Sequence, residues 1–263
     1  MRRGKPWAWI IFGLGVVYFM IPLIATFIFS LRMRRDGLSF DAYLSVFGDA
    51  RFQSTLTYSV VVGILAIIVG VAIVIPAAYV VRLRLPWLRQ TLEFITLLPL
   101  IIPPIVLVFG YLRMYNTSSL IPLTSSAFGT DILLTCAYVV LALPYMYRSV
   151  DTGLRSIDAH VLSEAATSLG AGPVRIIYEI IVPNIFVAVI SGAFLTFAIV
   201  IGEFTMASLL SRPAFGPYLQ LTGTNKAYEP SALAVISFII TWGAMGMIQL
   251  LTRFAPRTAA RTD

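Results

Sequence analysis

Residues 57–81 read TYSVVVGILAIIVGVAIVIPAAYVV, without a single charge. About 20 apolar residues wound at ~1.5 Å each cover the hydrocarbon core of a bilayer. A strand of a membrane barrel would instead alternate polar and apolar positions. This stretch therefore predicts a transmembrane α-helix, and similar runs recur on both sides of it. The spans fall at 7–29, 57–81, 92–112, 130–148, 184–210 and 230–252. The fourth has the shortest uncharged run, Ile132 to Tyr147, and extends past Asp131. The fifth is interrupted only by Glu203. The fold class that follows is all-α: a polytopic membrane protein with six transmembrane helices in a single domain, 1–263.

Composition points the same way. Hydrophobic residues make up 59% of the chain and charged residues 12%, about half the charge of a soluble domain. Such a chain cannot cover a water-facing surface with polar groups. The net charge of +7 lies in short clusters between the apolar runs, which is topology control and not a nucleic-acid face. The lone cysteine, Cys136, excludes an intrachain disulfide and sits in an apolar run as a small hydrophobe. Met1 to Lys5 precede the first run as a signal peptide's basic region would. That run is longer than a signal peptide's ~7–15 apolar residues and lacks an Ala-x-Ala site, so a retained helix is expected.

Even-numbered crossings place both termini on one side. If that side is the cytoplasm, the inner segments hold Arg2, Arg3, Lys5, Arg82, Arg84, Arg89, Arg148, Arg155, Arg175, Arg253, Arg257 and Arg261. The outer segments hold Arg32, Arg34, Arg35, Arg51, Arg113, Arg212 and Lys226. The inner excess favours cytoplasmic termini in a multi-pass inner-membrane protein. The first outer loop also carries Asp36, Asp41 and Asp49, and Phe40, Tyr43 and Phe47 in it predict a surface helix.

Pro22, Pro76, Pro99, Pro103, Pro104 and Pro144 lie inside spans, where each removes a backbone donor. Carbonyls freed in this way must face protein or a water-filled cavity. A single proline reads as a packing kink. The cluster Pro99, Pro103 and Pro104 reads as a broken third helix lining a pathway, with Pro144 and Glu203 as further pathway candidates.

Residues 149–183 form the longest connection on the inner side. Val150, Leu154, Ile157, Val161, Ala165 and Leu169 recur every three or four positions, one helix face. Gly170, Ala171 and Gly172 interrupt the pattern, and Pro173 suits the first turn of a new helix. The reading is a helical hairpin projecting from the bilayer, with small side chains at Ala165 and Ala166 allowing it to sit deep in a groove.

Ser163 to Pro183, SEAATSLGAGPVRIIYEIIVP, resembles the EAA motif of binding-protein-dependent ABC importer permeases. That pattern is E-A-A, three residues, G, nine residues, then I-x-L-P. Glu164, Ala165, Ala166, Gly170, Ile180 and Pro183 stand at its positions. Val182 replaces the leucine, and Ile157-Asp158 stands where the family often has Ile-Pro. The resemblance implies a type I importer permease covering nearly the whole chain. Its hairpin is then the coupling helix, with Glu164, Ala165, Ala166, Gly170, Ala171, Ile180 and Pro183 making or shaping the contact with an ATPase. The implied partners are a second permease subunit (a homologous hetero-partner favoured), two ATPase subunits, an extracytoplasmic substrate-binding protein and membrane lipid. No cofactor is expected in this chain, because ATP and Mg would be bound by the ATPase. The sequence agrees, since Gly4-Lys5 has no glycine-rich loop before it and no phosphate loop exists.

Glu203, in Ile201-Gly202-Glu203-Phe204-Thr205, reads in three ways: a substrate or gate contact, a buried partner of Arg113 or Arg212, or a helix-end residue reaching headgroups. The Gly-Glu-Phe triplet is also similar to permeases for polyamines, iron and oxyanions. A polyamine such as spermidine or putrescine fits Glu203, Asp131 and Glu229 near the outer mouth. Arg113 and Arg212 keep a phosphonate, ferric iron or another oxyanion open. His160 and Glu164 share a helix face at i, i+4, but without a third ligand they read as solvated and metal-free. An ATPase-independent secondary transporter would carry more ionisable residues within its spans. A membrane enzyme would need a catalytic constellation that is absent. A structural protein would leave the broken third helix and Glu203 without a purpose.

Overall fold

The computed structural model describes residues 6–34 and 37–254. Arg2, Arg3, Lys5, Arg35, Asp36, Arg257 and Arg261 of the topology count lie outside them, as do both termini. Besides a single 3-10 turn at Leu123–Ser125, twelve helices and no strands occur among the described residues: α1 (Pro6–Ser30), α2 (Asp41–Phe47), α3 (Ala50–Leu83), α4 (Pro86–Ile101), α5 (Pro104–Met114), α6 (Ala127–Arg155), α7 (Ala159–Ser168), α8 (Pro173–Asn184), α9 (Phe186–Gly202), α10 (Thr205–Leu209), α11 (Phe215–Asn225) and α12 (Glu229–Phe254). Helices α1, α3, α6 and α12 are long and apolar enough to cross a membrane. The pairs α4–α5 and α8–α9 make six if each bent pair is one span.

The proline cluster breaks the third crossing where the sequence indicated. Pro99 stays inside α4, Ile102 and Pro103 are extended, and Pro104 starts α5. The two segments meet at 96°. Pro144, by contrast, is accommodated within an uninterrupted, buried stretch of α6.

The fifth crossing departs from the expected continuous run over 184–210. Its helix, α9, begins at Phe186 and meets α8, which contains a wide i→i+5 turn over Ile176–Ile181, at 84°. It also ends earlier, at Gly202, where Glu203 turns extended before the five-residue α10. Ser211 closes α10 in the left-handed conformation, at φ 53°. Its amide donates to Ser208 and the Arg212 amide donates to Ala207, a Schellman closure with serine where glycine is usual.

The centre is built by α3, α6 and α9. Close approach is possible because Gly153 and Gly192 stand where these helices touch. A Cβ on Gly153 would lie 2.6 Å from the Ala188 Cβ, and one on Gly192 would lie 2.7 Å from the Met146 sulfur. Helix α1 packs on α12 and otherwise bares its apolar side chains, Trp7, Trp9 and Phe12 among them, as a lipid-facing span does. The surface helix expected around Phe40, Tyr43 and Phe47 is α2. Ala42 and Val46 are its buried face, and the Ser30 and Tyr43 hydroxyls share a 2.7 Å hydrogen bond.

Candidate functional site

The hairpin is α7, a tight turn, and α8. Asp158 caps α7 by accepting from the Val161 amide at 3.1 Å, so the chain turns between α6 and α7. That turn changes the surface expected from the sequence. Val150 and Leu154 are buried on α6, yet Val161, Ala165 and Leu169 face outward on α7, with Leu169 89% exposed. The six residues are therefore not one face. Ala165 and Ala166 also part company: Ala166 is 5% exposed and packs into the cluster of Tyr79, Ile176 and Ile177, while Ala165 and Glu164 point out.

Gly170 is at φ 82°, the left-handed region that side-chain-bearing residues avoid. The Ala171 amide donates to Ala166 and the Gly170 amide to Thr167, completing a second Schellman closure. Pro173 occupies the first turn of α8. Ala171 and Ile180 are half-buried against the hairpin's own core, and Pro183 is exposed. The hairpin is tied to α3 by the Tyr79 hydroxyl, which donates to the Ser163 hydroxyl at 3.0 Å. His160 and Glu164 stand 3.7 Å apart on the exposed surface, and no group of three metal-ligating side chains exists among the described residues.

At the hairpin's root lies an ionic cluster that the sequence reading missed. The Asp151 carboxylate on α6 accepts from Arg155 Nε at 2.8 Å, and Arg82 of α3 and Arg89 of α4 approach it at 3.6 and 3.9 Å. Glu93 lies 3.0 Å from Arg89 and 3.6 Å from Arg155. The i, i+4 pairs Asp151–Arg155 and Arg89–Glu93 were its legible half; the joining of three helices was not. Asp151→Asn removes the acceptor shared by three guanidiniums. A fully buried pair costs roughly 3–5 kcal/mol to break, but the half-exposed arginines here reduce that to about 1–2 kcal/mol. The variant transporter is expected to unfold several degrees below the parent in detergent. Arg155→Gln, which leaves Arg82 and Arg89 in place, should fall less. Equal melting of all three proteins would remove the cluster's structural role.

A second cluster ties the same two helices at the far end. Arg212 Nε meets Asp131 at 2.7 Å, its guanidinium lies 5.8 Å from the Tyr58 ring centroid, and the Tyr58 hydroxyl donates to Asp131. The two clusters are separated by about 30 Å along α6, at ~1.5 Å per residue, the thickness of the hydrocarbon core. Helices α3 and α6 are thus pinned to each other at both membrane faces.

The remaining candidates do not converge on one cavity. Pro99 and Pro104 line an apolar cavity of about 300 Å³ with Leu107, Leu141 and Met206. Pro103 is exposed, and Pro144 lies beside Tyr147 and Arg148 in a separate cleft. Glu203 lines neither. It is 8% exposed, and its carboxylate accepts from the Met206 and Ala207 amides at 2.9 and 3.3 Å, capping α10. Of the two partners proposed for it, Arg212 binds Asp131 instead, and Arg113 is exposed.

Comparison with known proteins fits this architecture. A family model described as the binding-protein-dependent transport system inner membrane component matches residues 70–259. The molybdenum transport system permease protein ModB of Mycobacterium tuberculosis is 30% identical over 234 residues, covering 86% of this chain and 85% of that protein. The spermidine/putrescine transport system permease protein PotC of Haemophilus influenzae is 28% identical over 249 residues, covering 90% and 92%. Among solved structures, a chain of a bacterial alginate ABC transporter, crystallised with an alginate pentasaccharide-bound periplasmic protein, superposes with a TM-score of 0.72 at 12% identity. It covers 95% of this chain and 96% of its own, a likeness of fold alone. Subunits of this kind are non-catalytic, with ATP hydrolysis in a separate subunit. With most of its length matched, this chain belongs to the binding-protein-dependent transport system inner membrane components, the permease subunits of type I ABC importers.

Proposed function

We propose that the α7–α8 hairpin faces the cytoplasm and docks on a separate ATPase subunit, so that nucleotide-driven motion there opens and closes a pathway formed with a second permease subunit. The observation that carries this reading is the outward face of α7. Val161, Ala165 and Leu169 flank Glu164 on a helix whose inner face is fixed to the spans through Ala159, Ala166 and Tyr79. Exposed apolar side chains around one carboxylate, on a rigid base, suit a partner's cleft. The hairpin's pull would reach the far face through α3 and α6, because the Asp151 and Asp131 clusters hold that pair together. ATP and Mg would be bound by the ATPase, and an extracytoplasmic binding protein would deliver the solute.

For the solute, we propose an oxyanion of the molybdate kind over a polyamine. The carboxylates that fitted a polyamine are all engaged: Asp131 by Arg212 and Tyr58, Glu229 by Lys226 at 3.3 Å, and Glu203 by backbone amides. Arg51 and Arg113 on that side have no carboxylate within 4 Å among the described residues, and an unpaired basic surface attracts anions.

The test is uptake by the complete transporter, with its binding protein, in proteoliposomes. Labelled molybdate is expected to enter with ATP and to stop entering when the ATPase subunit is hydrolysis-dead. Spermidine uptake without molybdate uptake would overturn the choice of solute. Uptake that persists with the dead ATPase would overturn the coupling and favour a secondary transporter.

A further inference from the structure

Helix α2 is apolar on two faces. Ala42 and Val46 are buried with Phe52 of α3 and Leu233 and Ile236 of α12. Phe40, Leu44 and Phe47, at i, i+4 and i+7, form a second, exposed stripe, and Leu38 precedes them. Leu38 and Leu44 are each 69% exposed, Phe40 62% and Phe47 53%. A surface helix in water turns polar and charged groups outward. Here the outward stripe is as apolar as the packed one, so an apolar medium covers it.

The position of α2 identifies that medium. The Tyr43 hydroxyl meets the hydroxyl of Ser30, the last residue of α1, at 2.7 Å. The Ser39 amide donates to the Leu31 carbonyl, also at 2.7 Å. Helix α2 is thus stitched to the point where a 25-residue span leaves the hydrocarbon, at the membrane face opposite the hairpin. Its outward stripe lies at headgroup level, the depth at which an amphipathic helix rests in the plane of a bilayer. Aromatic rings gather there, as in the interfacial belts of membrane proteins. Phe40 packs against Tyr43, and Phe29 of α1 against Tyr228, with centroids 5.7 and 5.0 Å apart. A soluble partner suits the stripe poorly, because interfaces that form and separate in water are about as polar as ordinary surface.

The rim of the stripe is basic. Arg32 and Arg34 directly follow α1. Arg34 pairs with Asp41, whereas Arg32 is exposed and has no carboxylate within 4 Å among the described residues. A guanidinium at headgroup depth meets lipid phosphate, which accepts paired N–H bonds from it. An anionic headgroup is the better partner, because the ammonium of phosphatidylcholine competes for its own phosphate. We infer that α2 and the loop before it form an interfacial foot in the leaflet opposite the hairpin. Leu38, Phe40, Leu44 and Phe47 lie among its upper acyl carbons, and Arg32 binds the phosphate of an anionic phospholipid. The foot fixes the depth at which α1 and α3 enter the membrane, and it gives the basic first loop a purpose on the side where basic residues are otherwise scarce.

The experiment uses the complete transporter in phosphatidylcholine vesicles. Cys136→Ala removes the native thiol, and Leu44→Cys supplies one that carries a fluorophore. Quenching is read from lipids bearing a nitroxide just below the headgroup and from iodide in the water. The nitroxide lipid should quench the label strongly and iodide weakly, and Phe40→Cys, on the same stripe, should repeat the result. Nitroxide phosphatidylglycerol should reach half-maximal quenching at about one fifth of the mole fraction that nitroxide phosphatidylcholine needs, the preference expected of one arginine at a membrane surface. Arg32→Gln should abolish that preference and leave the lipid contact itself. Iodide quenching stronger than lipid quenching would place the stripe in water and overturn the inference. Protection from both quenchers would mean that the second permease covers the stripe, and lipid quenching lost on adding the binding protein would give the stripe to that protein. Either result overturns the foot. Equal quenching by the two lipids, or a preference that survives Arg32→Gln, would overturn the role of Arg32 and of the anionic headgroup.

Discussion

Ala165→Glu is expected to release the ATPase from the purified transporter and stop uptake, while the chain inserts and folds as before. Ala165 is exposed, so a larger charged side chain there can extend into solvent. At a docked interface it would place a second carboxylate next to Glu164, in a contact whose centre is desolvated. A disrupted central interface residue costs about 2–4 kcal/mol, or roughly 30- to 1000-fold in Kd. Co-purification of the ATPase and ATP-driven uptake would both register such a loss. Ala166→Glu is the informative contrast. Ala166 is 5% exposed among Tyr79, Ile176 and Ile177, so this change should unfold the hairpin itself and lower the melting temperature. Retained ATPase binding by Ala165→Glu would remove the outward face of α7 from the contact.

Gly216→Ala carries the largest expected effect on folding. A Cβ at this position would fall 2.2 Å from the Glu203 carbonyl oxygen and 2.9 Å from its carbon. Both atoms are backbone, and the Glu203 segment is held by its own carboxylate on the amides of α10, so neither side can retreat cheaply. Overpacking commonly costs about 1–3 kcal/mol, and a clash of backbone on Cβ belongs at or above the top of that range. The variant should accumulate poorly and unfold early when heated in detergent. Gly202→Ala, one residue before Glu203, is the control: nothing lies within 4 Å of its Cβ, and it should melt close to the parent. Equal stability of the two variants would show that the chain break at Glu203 is not closely packed.

Several of these features could be read from the amino acids because their causes are local. Uncharged runs longer than a bilayer require helices, and Pro103-Pro104 cannot continue one. Gly170 before Gly172-Pro173 ends one helix and starts the next. What escaped the sequence depends on rotation and distance. The stripe from Val150 to Leu169 has helical spacing throughout, but the turn capped by Asp158 rotates its second half outward. Asp158 is a common helix-capping residue type, and that was the available signal. Adjacent alanines cannot reveal from composition which faces the core. Glu203 could be read as a substrate or gate contact, a partner of Arg113 or Arg212, or a residue reaching headgroups; its partners are amides three and four residues ahead, freed because the helix stops at Gly202. Asp151 gathers arginines from α3 and α4, and Asp131 takes Arg212 from the loop after α10, all distant in sequence, so the pinning of α3 to α6 had no local signature.

The most direct test of coupling is proximity at the hairpin tip. With Cys136 replaced by alanine, Leu169→Cys in the complete transporter should cross-link to the ATPase subunit through a short bifunctional reagent, with a yield that changes when ATP binds. An impermeant reagent should reach that thiol only from the cytoplasmic side once the ATPase is stripped away. Labelling of the same position from the external side of intact cells would contradict the account.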